Sequence, residues 1–531
     1  MTDLTGTWAL VRLALRVDRV RLPLWVGTMA AFPPLVQAPA LEGLYPTLAG
    51  REHFVRDIAG NATFRMLYGE VPSPSVGGLT AWRASFLLVT VGLAAALTVI
   101  RHSRADEQTG RTELVCATGV GRRAPLAAAL TVAIGASALV GAITAIGMAA
   151  EGRGVAGSVA YGAQLLGAGM VFAGVAAVAA QLAEGAGSAR AIAVTAVAGS
   201  YLVRGSADVQ SDGGLSWLSW SSPLGWLHRL EPYGQERWEL LLLPVALTLL
   251  LVGGAFALAN RRDLGSGVLA TRLGPPTASA SFRSPLALAW RLQRSSLLGW
   301  AVGLGLVGAV LGGAATGAAE LLDDSPGLRE VFERLGGAQV LTDAFLAAVF
   351  GLVGLMAAAQ AVQAALRLRT EEEAGRAEPL LVATVGRRRW TASHLVFVAL
   401  APGVSLVVAG LAGAVTFGLG AHDLTGQLGP VLRAALVQLP AVWVVAAVAV
   451  ALFGLLPRWS ATAWTALAAC FLLGQVGAIL DLPQGILDLS PFTHVPALPG
   501  HALALPVVLL TAVAAGLTAW GVGAFARRDV G

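Results

Sequence analysis

Long apolar blocks alternate with short polar ones along the chain, and stretches such as 84–100, 124–150, 240–259, 341–366, 391–419 and 502–526 are almost free of charge. A helix rises about 1.5 Å per residue, so about 20 such residues cross a hydrocarbon core roughly 30 Å thick. The pattern predicts twelve spans, at about 22–41, 82–101, 124–149, 158–182, 190–204, 238–259, 297–319, 341–366, 391–419, 430–456, 460–480 and 502–525. The expected fold is an all-α polytopic membrane protein. The fifth span is short and interrupted by Gly199 and Ser200, which leaves eleven or thirteen crossings open.

Composition agrees with the pattern. Mean hydropathy is +0.70 and charged residues make up 13% of the chain, against about 25% in soluble domains. Arg12, Arg16, Arg19 and Arg21 lead directly into the first span with no small-residue cleavage pattern, so an uncleaved N-terminus is expected. Cys116 and Cys470 suggest neither a disulfide framework nor a metal site. All 36 basic residues are arginine. A Walker A loop needs a lysine to reach the β- and γ-phosphates, so no nucleotide site and no cofactor are expected on this chain. The seven histidines are scattered without metal-ligand spacing, which argues against a membrane-embedded enzyme.

Sidedness follows from the loops. With both termini cytoplasmic, 25 arginines and 12 acidic residues fall inside, against 11 and 19 outside, as the positive-inside rule requires. The net charge of +5 therefore reflects orientation in a cell membrane and implies no nucleic-acid partner.

The most informative feature is an internal repeat. Residues 107–123 read EQTGRTELVCATGVGRR and residues 372–388 read EEAGRAEPLLVATVGRR, a gapless match at an offset of 265 with eight identities in seventeen. Arg16, Arg19 and Trp25 pair with Arg291, Arg294 and Trp300; Arg261-Arg262-Asp263 pairs with Arg527-Arg528-Asp529; Ser222-Pro223 pairs with Ser490-Pro491. Both copies lie between the second and third spans of their half, so the halves are expected to be parallel repeats of six spans. The expected organisation is a first half at 1–265, a cytoplasmic linker at 266–290 containing Gly274-Pro275-Pro276, and a second half at 291–531.

Within each repeat a glutamate precedes an arginine by four residues, Glu107 to Arg111 and Glu372 to Arg376, the favourable order for a helical pair. A short amphipathic cytoplasmic helix is expected near 103–123 and again near 368–389, ended by Gly121 and Gly386 before Arg122-Arg123 and Arg387-Arg388. Such a helix either rests on phospholipid headgroups or docks on a partner, and the duplication favours a symmetric partner.

The E-x-x-G-R-x-E pattern followed by G-R-R, carried by Glu107, Gly110, Arg111, Glu113, Arg122 and Arg123 and by Glu372, Gly375, Arg376, Glu378, Arg387 and Arg388, resembles the coupling helix of ABC type-2 permeases. The fused two-half form is similar to actinobacterial permeases regarded as exporters of polyketide antibiotics, the tetronasin type. Leu44-Tyr45-Pro46-Thr47 through Leu67-Tyr68-Gly69, with a weaker echo from Ser325-Pro326 to Gly336-Gly337, adds to the likeness. The resemblance implies a separate cytosolic ATPase, in two copies, that binds ATP and Mg and docks on both coupling segments. Pro379 inside the second copy departs from the first. A major-facilitator-type proton-coupled transporter is the alternative, since it too has two parallel halves with a G-R-R loop. That loop usually carries an aspartate where this chain has Ala117 and Val382.

Gln164, Gln181, Gln360, Gln363, Gln438 and Gln475 lie inside predicted spans. They either line a translocation path or bond between helices. With few charges inside the spans, a hydrophobic or amphipathic small molecule is the expected cargo.

Overall fold

The structure, a computed structural model, describes residues 3–59, 61–209, 216–269, 276–277, 282, 284–323, 338–383, 385–476, 483–496 and 505–529. The described residues form helices and loops and contain no strand. The protein is an all-α polytopic membrane protein. Among the described residues, ten helical runs are long and apolar enough to cross a bilayer: 86–108, 124–150, 155–182, 186–209, 238–259, 285–313, 346–373, 387–420, 424–455 and 505–527. The chain divides into two compact units, residues 1–274 and 275–531.

The first unit opens with α1 (Thr7–Val17) and α2 (Arg21–Phe32), which passes through a wide π-type turn at Pro33–Gln37 into α3 (Ala38–Leu44). The predicted first span is thus helical throughout, although four prolines and Gln37 keep it outside the ten apolar runs found among the described residues. Two short helices, α4 (Leu48–Ala59) and α5 (Ala62–Tyr68), and then α6 (Val76–Arg83) lead to the second span, α7 (Phe86–Ile100). That span continues through a second π turn at Arg101–Ala105 into α8 (Asp106–Gln108), and α9 (Arg111–Cys116) follows. The remaining spans are α10 (Ala124–Ala150), α11 (Val155–Leu182), α12 (Ala186–Val209) and, after the short α13 (Pro223–His228), α14 (Leu242–Ala259). The fifth span is longer than its apolar stretch suggested, since residues on both sides of 190–204 stay helical.

In the second unit α15 (Pro285–Asp323) is one helix of 39 residues, where the first unit has a break at Asp18–Val20 between α1 and α2. It is followed by α16 (Ala338–Glu373), α17 (Glu378–Val382) and α18 (Arg387–Gly420). The tenth predicted span is split into α19 (Leu424–Leu436) and α20 (Leu439–Leu455), and α21 (Ala463–Val476), α22 (Gln484–Leu487) and α23 (Leu505–Arg527) complete the chain. The predicted span 460–480 is described as far as Val476, and the echo at 325–337 lies outside the described residues. The expected loop at 266–290 is structured at both ends. The backbone N–H groups of Val268 and Leu269 donate to the carbonyls of Gln181 and Leu182, and α15 begins at Pro285.

Glycine sets how closely the helices approach. Lipid tails are as apolar as the helices, so association depends on close van der Waals contact, which small residues permit. A Cβ on Gly141 of α10 would lie 2.3 Å from the carbonyl oxygen of Gly162 on α11. One on Gly308 of α15 would lie 2.2 Å from the oxygen of Ala409 on α18, and one on Gly454 of α20 2.1 Å from that of Gly521 on α23. Ser222 and Ser490 make matching Ser-Pro turns, their hydroxyls accepting from the N–H of Gly225 and of Phe492. Gln164 donates to the carbonyl of Leu227 at 2.7 Å, holding α13 against the fourth span.

Gly141→Leu is expected to force α10 and α11 apart, costing about 1–3 kcal/mol and lowering the melting temperature of the detergent-purified protein. Gly199→Leu, where a side chain meets open space, leaves the melt unchanged; equal shifts for the two variants would contradict this packing.

Candidate functional site

The repeated polar segment does not fold as one helix. In the first copy the second span runs on to Gln108, the backbone turns at Gly110 with φ of 74°, and α9 starts at Arg111. In the second copy α16 runs to Glu373, Gly375 turns with φ of 66°, and α17 starts at Glu378. Side chains with a Cβ are strained in this left-handed region, which gives the repeated glycine a specific task. The short helices end at Cys116 and Val382, so Gly121 and Gly386 are not their terminators. Gly386 instead precedes the first residue of α18, and Gly121 donates its N–H to the carbonyl of Thr5.

This turn re-pairs the charges. The expected Glu107–Arg111 and Glu372–Arg376 pairs are absent, because the helix that would stack residues four apart is broken between them. Arg111 pairs with Asp106 at 3.3 Å and Arg376 with Glu371 at 2.7 Å, each five residues back. The hydrogen bond from Arg376 to Glu371 holds that guanidinium more firmly protonated than usual.

Glu107 and Glu372 point inward and are buried. Glu107 takes both ends of the Arg262 guanidinium, at 2.6 Å and 2.9 Å, and accepts the N–H of Gly265 at 2.6 Å. Arg262 also donates through Nε to Gln181 Oε1 at 2.7 Å. Beside them lies the buried Arg104, 3.3 Å from Glu107, which donates to the carbonyls of Ala180 and Ser266. One carboxylate therefore joins the ends of the second, fourth and sixth spans. The second unit repeats the arrangement with different neighbours: Glu372 accepts from Arg528 at 2.8 Å and 2.9 Å and lies 3.3 Å from Arg369. Arg528 stacks over the rings of Phe453 and Phe525, at 5.4 Å and 5.3 Å, where the first unit has Gln181.

The arginine pairs after each turn belong to the same junction. Arg122 donates to the carbonyls of Ala259 and Arg262, and Arg387 to those of Ala526 and Arg528. Each satisfies carbonyls that the end of the sixth span leaves without helical partners. Arg123 bonds Asn260 and Asp3, whereas Arg388 is exposed. Glu113 and Glu378 are exposed and carry no ion pair among the described residues, as are the neighbouring apolar Leu114 and Val382, 74% and 86% exposed. Each unit thus presents a short acidic and apolar helix on a rigidly held base.

Three of the six glutamines take part in hydrogen bonds. Gln164 and Gln181 are engaged as described, and Gln363 accepts from the indole of Trp300 at 2.8 Å. Gln438 is buried where α19 meets α20 and packs on Gly354. The Gln360 amide is buried without a hydrogen-bond partner, against a small cavity it shares with Gln293 and Phe397. The side chain of Gln475 lies outside the described residues.

Three arginines that matter were not singled out from sequence as site residues: Arg104, Arg262 and Arg528. The last two were visible as duplicated marks. Their partners sit 155 and 156 positions away, a distance that no local pattern spans. Asp18 was also missed; it is buried and held by Arg101 at 3.0 Å and His102 at 2.7 Å, which ties the break between α1 and α2 to the end of the second span.

Removing one partner of a buried ion pair leaves an uncompensated charge and costs about 3–5 kcal/mol. Glu107→Gln and Arg262→Gln are each expected to lower thermal stability by that order, and the double variant by clearly less than the sum. Single variants that melt like the parent would contradict the junction.

Comparison with known proteins places these features in context. A family profile described as the C-terminal domain of the multidrug efflux system permease Rv1217c matches residues 282–526. Over its length the chain is 42% identical across 527 residues to the multidrug efflux system permease protein Rv1217c of Mycobacterium tuberculosis, covering 99% of this chain and 95% of that one.

Proposed function

The chain belongs to the family of multidrug efflux permeases, and from that premise we propose that it is the membrane-spanning subunit of an ATP-binding-cassette exporter of the type-2 permease kind. It moves hydrophobic or amphipathic small molecules outward, with polyketide antibiotics and drugs as the substrate class. A separate cytosolic ATPase, in two copies, binds ATP and Mg and supplies the energy. Both termini and both short helices face the cytoplasm, as the excess of arginine on that side supports.

The observation that carries this reading is the duplicated junction. Free Glu113 with Leu114, and free Glu378 with Val382, are solvent-facing docking groups. Glu107–Arg262 and Glu372–Arg528 connect their bases to the ends of the sixth spans. An ATPase that closes on ATP and displaces α9 and α17 therefore displaces spans rather than a loose loop. The buried Glu107 and Glu372, with Arg122 and Arg387 on the carbonyl ends of the sixth spans, transmit this movement, and Gly110 and Gly375 fix the angle at which each docking helix leaves its span. Arg111, Glu113, Arg376, Glu378 and Arg388 are the groups left on the surface for the partner to meet.

Reversing the docking charges is the test. The chain carrying Glu113→Arg and Glu378→Arg, co-expressed with its proposed partner ATPase, is expected to lose most of the substrate-stimulated ATP hydrolysis of the purified complex while melting like the parent. Each single reversal should lose part. Undiminished hydrolysis and efflux in the double variant, or efflux that follows a proton gradient without an ATPase, would overturn the proposal in favour of secondary transport.

A further inference from the structure

On the N-terminal face of the first unit, a cleft of about 240 Å³ opens between α1, the end of the second span, α9 and the start of α12. Its floor is apolar, made by Leu10, Leu13 and Val17 of α1 with Val115 and Pro125. Its rim is cationic, carrying Arg101, Arg111 and Arg190 against a single lining carboxylate, Asp106. These cations are not equivalent. Arg101 is held by Asp18, outside the lining, and Arg111 by Asp106. Arg190 is exposed and has no ion pair among the described residues.

The apolar surface does not stop at the cleft. Leu13 and Val17 are 50% and 54% exposed, and Trp8 and Leu15 on the same helix are 61% and 48% exposed. A short helix with such a surface beside arginines lies at a membrane boundary. Basic pockets between helices at the cytoplasmic surface suit anionic lipid headgroups. The volume falls below the roughly 300–1,000 Å³ of pockets that enclose drug-sized ligands, so it fits a headgroup and the first methylenes of a molecule whose remainder stays in the bilayer.

We propose that this cleft binds one anionic glycerophospholipid of the cytoplasmic leaflet, its phosphate held by Arg190 and Arg111 and its acyl chain laid along Leu10, Leu13 and Val17. The lipid bridges α1, α9 and α12, and so couples the seating of the docking helix to the surrounding membrane. At the matching positions of the second unit Leu366 stands in place of Arg101, the counterpart of Asp106 is Glu371, which holds both Arg367 and Arg376 at 2.7 Å, and α15 has no break like that at Asp18–Val20. The assignment to the cytoplasmic leaflet rests on the orientation proposed above, whereas the headgroup chemistry does not.

The test uses the full chain in nanodiscs of phosphatidylcholine alone or with phosphatidylglycerol, comparing the parent with the Arg111→Gln/Arg190→Gln variant. Phosphatidylglycerol is expected to raise the melting temperature of the parent by roughly 5 °C over phosphatidylcholine and that of the variant by much less. Both substituted residues are exposed, so the variant should fold and melt like the parent in phosphatidylcholine. A variant that destabilises there is replaced by Leu13→Glu, which blocks the acyl path and should also remove the lipid preference. Equal stabilisation by both lipids, or a preference that survives both variants, overturns the site. Labelling of an Arg190→Cys variant by an impermeant thiol reagent in intact cells would overturn the orientation instead, and the nanodisc result would still decide the headgroup chemistry.

Discussion

A buried carboxylate is a demanding object near a membrane. Its desolvation is expensive unless a cation and further donors meet it, and here Glu107 and Glu372 are met by Arg262 and Arg528 from the ends of the sixth spans. Most other features of each junction follow from this requirement. The second span has to run past its apolar stretch to deliver the carboxylate, and the chain has to turn immediately afterwards. Only then can the short helix leave with its acidic and apolar groups outward.

The glycines and arginines around each pair make that geometry possible. Gly110 and Gly375 adopt a backbone conformation in which other residues are strained, and Arg122 and Arg387 close the exposed carbonyl ends of the sixth spans. The two units reach the same result with different surroundings. In the first, polar groups from Gln181, Arg104 and Gly265 complete the site; in the second, Phe453 and Phe525 stack on the arginine. Pro379 in α17 lies at a helix start, where its missing N–H goes unmissed, so its departure from the first copy is compatible with a short helix.

Much of the fold was legible because the bilayer imposes a length on apolar runs. Twenty apolar residues with arginine-rich flanks have few other solutions, which explains why ten of the twelve predicted spans return as long helices. The first was diluted by Pro23, Pro33, Pro34 and Pro39, the eleventh is described only as far as Val476, and the tenth, though long, is interrupted near Val437. The repeat located the candidate site, yet local spacing misassigned its bonds. Residues four apart stack only on an unbroken helix, and the turn at Gly110 brought Asp106 rather than Glu107 to Arg111. Partners such as Arg262 lie beyond any local pattern; what marked them in the sequence was their own duplication.

The proposed docking of one ATPase copy on the clamped helix of each half is read directly from the native mass of the purified complex. One chain with two ATPase copies, falling to one copy when the groups of a single docking helix are reversed, is the predicted result. A chain that carries drug efflux in reconstituted vesicles while its native mass is that of the permease alone would contradict it.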